Sequence, residues 1–141
     1  EEIEEAKVDP RMLCFEITEA VAVNDLTLAT RFISTLRDLG SSFSLDDFGT
    51  GVSSYGYLTS LDVDYLKIDG AFIKNMTHES IDYAMVKSVN EMGQAIGMET
   101  VAEFVESQEV LQLLKDIGVD YAQGCGIGEP LPLATFFSGT P

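Results

Sequence analysis

Apolar residues recur along this chain in two rhythms that take turns. Short runs rich in β-branched and aromatic side chains, at Leu13–Ile17, Phe43–Asp46, Tyr65–Ile68, Ile96–Val101 and Asp120–Gln123, predict five strands. Between them the spacing becomes helical. Residues 25–39 place Leu28, Phe32, Leu36 and Leu39 on one face, with Asp25 and Thr27 able to cap the start and Gly40 to end it. Residues 79–95 repeat the arrangement with Ile81, Met85, Val89 and Met92 before Gly97, and residues 107–117 with Val110, Leu111 and Leu114 before Gly118. Strand, helix and strand at roughly 30-residue intervals read as βαβ units. They predict a parallel sheet, since parallel neighbours need a long crossover between them.

No linker, repeat or low-complexity run divides the chain. Pro130, Pro132 and Pro141 are expected to stop regular structure and mark a boundary. Residues 1–10 read as the tail of a helix running into the first strand. With no Met at position 1, the boundary there is expected to cut through an architecture.

Composition narrows the function. With 45% apolar residues in a chain of 141, a single domain can bury a real core. The 24 acidic against 8 basic side chains give a net charge of −16, which removes the electrostatic term that carries binding to nucleic-acid polymers and disfavours an anionic membrane surface. A phosphate-bearing ligand would need a cation to mediate. No apolar run approaches the roughly 20 residues of a membrane helix, and the acidic start EEIEEAK is unlike a signal peptide. Cys14 and Cys125 lack zinc-site spacing and read as reduced, packed thiols, which points to the cytoplasm.

In parallel α/β folds the chemistry gathers at the C-terminal ends of the strands. Here each end is polar: Glu16 and Glu19 after the first strand, Asp46 and Asp47 after the second, Lys67 and Asp69 after the third, Glu99 and Glu103 after the fourth, and Gln123 after the fifth. A single carboxylate in such a place usually caps a helix or faces water; five polar ends in succession are a different matter. Adjacent Asp46 and Asp47 leave a strand on opposite faces, and like charges gathered there call for a cation. Oxygen-only ligands favour magnesium or manganese over zinc. His78, in the polar loop NMTHES, reads as ordinary surface. The segment FGTGVSSYGYL is rich in glycine and hydroxyls, a composition that lets backbone approach a ligand, but it matches no phosphate-loop spacing.

The segments FEITE, LDDFGTG, DYLKIDG, VAEFVE and YAQG stand in the order and at the intervals of one family. The chain resembles the EAL domains, bacterial phosphodiesterases that hydrolyse the second messenger cyclic di-GMP. The resemblance implies an α/β fold, about five βα units of a modified eight-stranded TIM-type barrel, with residues 1–141 as the C-terminal portion of a domain of roughly 250 residues whose N-terminal strands are missing. It implies Glu16, Asp46, Asp47 and Glu103 as ligands of two Mg2+ or Mn2+ ions, with Asp46 as the bridge. Lys67 would orient the attacking water, Gln123 would stand near that water, and Glu19 would anchor the DFGTG loop. The family's Glu-Ala-Leu segment and the Asn ligand after it lie upstream of the matched part, and EEIEEA is not that motif. Cys125 and Glu129 stand where the family often has an aromatic and a basic residue.

What the resemblance implies is hydrolysis of cyclic di-GMP to linear pGpG, with the 141 residues by themselves inactive. The alternative is a catalytically degenerate EAL domain acting as a cyclic di-GMP receptor or protein-interaction module. Dimerisation through the domain and attached GGDEF or sensory domains are further expectations. A phosphoacceptor receiver domain also carries an Asp pair and a Lys on five strands. There, however, the pair follows the first strand and the Lys ends the last, an order this sequence lacks.

Overall fold

A computed structural model describes residues 2–49 and 55–138. After a short helix α1 (Glu2–Glu5) and a 3-10 turn at Pro10–Met12, the chain runs β1 (Cys14–Thr18), α2 (Glu19–Asn24), α3 (Leu26–Arg37), β2 (Ser42–Phe48), a 3-10 helix at Tyr55–Ser60 and β3 (Tyr65–Ile68). Then come α4 (Gly70–Asn75), α5 (Ser80–Ala95), β4 (Glu99–Ala102), α6 (Gln108–Ile117), β5 (Tyr121–Ala122) and α7 (Leu133–Ser138). The five strands form one sheet in the order β1-β2-β3-β4-β5, every neighbouring pair parallel. Sequential order without reversal is the winding of a TIM-type barrel and not of a doubly wound sheet, whose strand order reverses at a switch point. The receiver-type alternative is therefore excluded, and the fold is a stretch of five βα units of such a barrel.

Side chains alternate across each strand. Phe43, Leu45, Leu66, Ile68 and Ala102 are fully buried against the helices, with Phe15 stacked on Phe43 at 5.6 Å between ring centroids. The opposite face carries Cys14, Glu16, Ser42, Ser44, Tyr65, Lys67, Glu99 and Tyr121, with the rings of Tyr65 and Tyr121 edge to face at 6.0 Å. One strand face thus builds the core and the other is polar.

Helix ends follow local rules. The Asp25 carboxylate accepts from Leu28 N–H at 2.9 Å and starts α3; Ser107 does the same for Val110 N–H and α6, which closes at Gly118 in the left-handed conformation. At the lower ends of the strands, Asp64 accepts from Phe43 N–H and from the Arg37 guanidinium, tying β2, α3 and the entry to β3 together.

Several expectations are corrected. The buried side of α3 is Ala29 and Ile33, while Leu28, Phe32 and Leu39 are about half exposed, because the small Ala29 lets the helix approach the sheet along that line. Residues Ile96–Gly97 belong to the end of α5, with Ile96 N–H bonded back to Met92 and Gly93, so β4 begins only at Glu99. Pro132 does not end regular structure: its carbonyl accepts from Thr135 and Phe136 N–H at the start of α7. Cys14 and Cys125 are free thiols but exposed rather than packed; Cys14 lies on the polar strand face.

Candidate active site

The parallel register brings charged residues of neighbouring strands toward one end of the sheet. Thr18 pairs with Asp46, Leu45 with Leu66, Ile68 with Ala102 and Ala102 with Ala122, so Asp46 and Lys67 stand near the C-terminal ends of their strands and Glu103 and Gln123 just past theirs, while Glu16, at the middle of β1, reaches up to Lys67 through its side chain. Between the pairs Leu45↔Leu66 and Phe48↔Ile68, two residues of β2 oppose one of β3. That is a bulge, and it sets Asp46 and Asp47 opposite Lys67. Asp47 has φ +55°, a left-handed conformation that costs a residue with a side chain about 1–3 kcal/mol. Through this bulge the two acids, which a regular strand would send to opposite faces, enter one cluster. Asp46, Asp47 and Glu103 can each offer an oxygen such that all three lie within 4.8 Å of one another.

Lys67, only 5% exposed, is the cluster's cation. Its Nζ lies 3.0 Å from Glu16 Oε1, 2.9 Å from Asp46 Oδ1 and 2.8 Å from Glu103 Oε1. Burial works against the ammonium, and the contacts with Glu103, Asp46 and Glu16 outweigh it, so Lys67 stays charged well above the ordinary lysine range. Burial raises the Glu103 carboxyl above its ordinary value against the pull of Lys67; burial, then the charges of Asp46 and Asp69, do the same to Asp47. Four carboxylates thus gather about a single ammonium, an excess of acid over base. Asp46 Oδ1 is buried and faces the ammonium as an ion pair with no aligned hydrogen bond. An excess of hard oxygen donors, one of them a buried carboxylate oxygen held by an ion pair alone, suits a divalent cation such as magnesium or manganese.

Glu19, 3% exposed, opens α2 beside the cluster. Its Oε2 accepts from Gly49 N–H at 3.1 Å, and its Oε1 accepts from the Tyr57 hydroxyl. One carboxylate therefore holds both flanks of residues 50–54, the middle of the glycine-rich segment, which lie outside the described residues. Burial and the bond to Glu19 keep the Tyr57 hydroxyl protonated far above the ordinary tyrosine range. Tyr57 carried no sequence signal, since nothing in its spacing links it to Glu19. Gln123 is placed beside Glu103: its N–H donates to Ala102 O at 2.8 Å, and it lines a hollow of about 230 Å3 with Glu103, Phe104 and Cys125.

Other acids named from the sequence have different places. Glu99 starts β4 at the far end and accepts from the Tyr121 hydroxyl at 3.3 Å. Asp69 caps α4 through Ala71 N–H at 2.6 Å. His78 is exposed, as is Glu129.

Residues 1–130 match the family model described as EAL domain. Cyclic di-GMP phosphodiesterase PdeB of Shewanella oneidensis is 50% identical over 129 residues, 92% of this chain and 15% of that protein. Among solved structures, the PaMucR phosphodiesterase in complex with c-di-GMP superposes with a TM-score of 0.90 at 34% identity, over 95% of this chain and 54% of that one. The manganese/cy-diGMP complex of Klebsiella pneumoniae BlrP1 does so with a TM-score of 0.79 at 28% identity, over 86% of this chain and 31% of that one. The chain thus spans about half, or less, of the proteins it matches. With the match covering all but the last eleven residues, and a relative 50% identical over 92% of the chain, the chain belongs to the EAL domain family.

Proposed function

We propose that the protein hydrolyses cyclic di-GMP to linear pGpG. The observation that carries the reading is Lys67, a buried ammonium touching three carboxylates beside a triad of acids spaced to share a cation. Glu16, Asp46, Asp47 and Glu103 would hold two Mg2+ or Mn2+ ions, with Asp46 as the shared ligand. Bound there, such ions supply Lewis acidity toward the phosphodiester and lower the pKa of an attacking water.

The chain's own residues do the rest. Lys67 has three N–H donors and a charge that burial has not removed. With one of its three carboxylate contacts released, its ammonium would donate to the attacking oxygen and offset the negative charge that builds as the new P–O bond forms and the bond to the 3′ oxygen breaks. Gln123 offers an amide from the neighbouring strand exit to the same region. Glu19 does not ligate; with Gly49 and Tyr57 it fixes the flanks of the glycine-rich segment, which lets backbone come close to the dinucleotide. The proton of the attacking water leaves with the 3′ oxygen.

The wider setting is part of the same reading. The match to PdeB, of which this chain covers 15%, and to a bifunctional diguanylate cyclase/cyclic di-GMP phosphodiesterase supports placing this domain in a larger chain with a GGDEF or sensory domain; dimerisation through the EAL domain belongs to the same proposal. No helix among the described residues is long and apolar enough to cross a membrane, and two exposed free thiols suit a reducing compartment such as the cytoplasm.

The test uses the full-length protein with manganese or magnesium and cyclic di-GMP, following product by chromatography. Linear pGpG that disappears on chelation is expected, and Lys67→Ala should lower kcat by about 100-fold or more while dinucleotide affinity holds. Turnover that survives complete chelation would overturn the mechanism. Dinucleotide binding without product would make the protein a receptor.

A further inference from the structure

Where β4 ends at Ala102, the next two residues part company. Glu103 turns inward, 8% exposed, to meet Lys67. Phe104 turns outward, 52% exposed, with φ +52°. Left-handed backbone is disfavoured for a bulky side chain and persists only where the surroundings enforce it. Among the described residues, two other non-glycine positions share it: Lys7 near the N-terminus, and Asp47 in the acidic cluster. Glycine would take this turn without strain, so the phenylalanine ring must return something that glycine cannot.

The ring's neighbours say what. It lies against the first residue of α4: a Cβ on Gly70 would come 2.2 Å from Phe104 Cδ2 and 2.7 Å from Cγ, so glycine alone leaves room. One turn along the same helix, Lys74 Nζ stands 4.2 Å from the ring centroid, within cation–π range. Helix α4 follows β3 directly and starts three residues after Lys67. The β3–β4 ladder has its last pair at Ile68↔Ala102, and the Glu103 N–H reaches Ile68 O only at 3.4 Å. Beyond that point the Phe104 ring ties the strand exit that bears Glu103 to the one that bears Lys67. On the other flank, Val105 N–H donates to Gln123 O at 3.0 Å and Gly126 N–H to Val105 O at 2.8 Å, which fastens the same segment to the exit of β5.

The geometry points to Phe104 as a positioning residue for Glu103: its ring, seated on Gly70 and beneath Lys74, holds the left-handed turn that aims the Glu103 carboxylate at Lys67, Asp46 and Asp47. This rests on the metal reading of that cluster. Phe104 acts through Glu103, and its contribution is the shape of the ring.

The test measures manganese affinity of the full-length protein by calorimetry, together with kcat, KM and Tm. Phe104→Gly relieves the strained turn and removes the ring, and should weaken manganese binding by about 10–100-fold, the range for residues that orient a ligand. Phe104→Tyr keeps the ring and should keep the affinity. Gly70→Ala displaces the ring from the opposite side and should weaken binding alone, yet add nothing to Phe104→Gly, where no ring remains to displace. A merely structural ring would lower Tm and leave manganese affinity unchanged in every variant, which would overturn the proposal. So would a full additional effect of Gly70→Ala in the Phe104→Gly protein. Failure of the unmodified protein to bind manganese would overturn the metal reading and this inference with it; equal binding by all forms overturns the positioning alone.

Discussion

Replacing Lys67 by methionine keeps the length of the side chain and removes its charge. The ammonium meets Asp46 and Glu103, whose side chains are 20% and 11% exposed, and Glu16, which is 54% exposed and screened by water. At an effective dielectric near 20, each buried contact is worth about 5–6 kcal/mol of Coulomb energy, most of it offset by the desolvation of the lysine. What remains on deletion is a nest of carboxylates with no cation, and removing one partner from a buried pair costs about 3–5 kcal/mol. At about 3 °C per kcal/mol for a domain of this size, Tm should fall by about 10–15 °C. The assay is thermal unfolding in a chelator and again in saturating manganese. In manganese the drop should shrink to less than half, because the ion supplies the charge that the lysine supplied. An equal drop under both conditions would mean that the cation and the lysine do not address the same carboxylates, and no drop at all would mean that the contacts at 2.8–3.0 Å are not held in solution.

Asp47→Gly should move stability and binding in opposite directions: release of the φ +55° strain raises the unfolding free energy by about 1 kcal/mol, read by urea denaturation, while manganese affinity falls with the lost carboxylate. Tyr57→Phe leaves one oxygen of the buried Glu19 without its donor and should cost about 1.5–3 kcal/mol in the same measurement. Glu19→Ala should cost both the Tyr57 and the Gly49 contacts and weaken manganese and dinucleotide binding together, as titrations of each would register. The 141 residues expressed alone should give no linear product by chromatography, and a rate rising with the square of protein concentration would show that copies complete one another.

Periodicity carries far in this chain. All five strands, with β3 at its observed ends, and the three longer helices follow from where the apolar residues fall. What escaped has identifiable causes. Helices α2 and α4 have six residues each, too few for a 3.6-residue repeat to show. The face of α3 was misplaced because large residues such as Leu28 and Phe32 dominate a periodic reading, whereas Ala29 makes the close contact. The membership of the acidic cluster could be written down from strand ends, but its assembly could not. The Asp46–Asp47 bulge depends on how β2 pairs with β3, and pairing register is a property of two segments at once. The same holds for Tyr57, whose link to Glu19 spans 38 positions.

The division of each strand into a core face and a polar face makes folding and chemistry inseparable. On β3, Leu66 and Ile68 enter the core while Tyr65 and Lys67 do not. A slip of one residue in pairing would exchange the two sets, sending Lys67 among the helices and Leu66 into the site. A version of this sheet slipped by one residue cannot keep its core and lose its site separately, because the parity that buries the leucine is the parity that presents the lysine. Proteolytic resistance or a sharp thermal transition in a preparation of this protein is thus also a sign that Lys67 faces the acidic side and not the helices. Substitutions in β3 should sort by parity in what they do to the ions: even positions altering stability without touching the carboxylates, and odd positions altering ion binding or the lower lining of the sheet, at Lys67 together with stability.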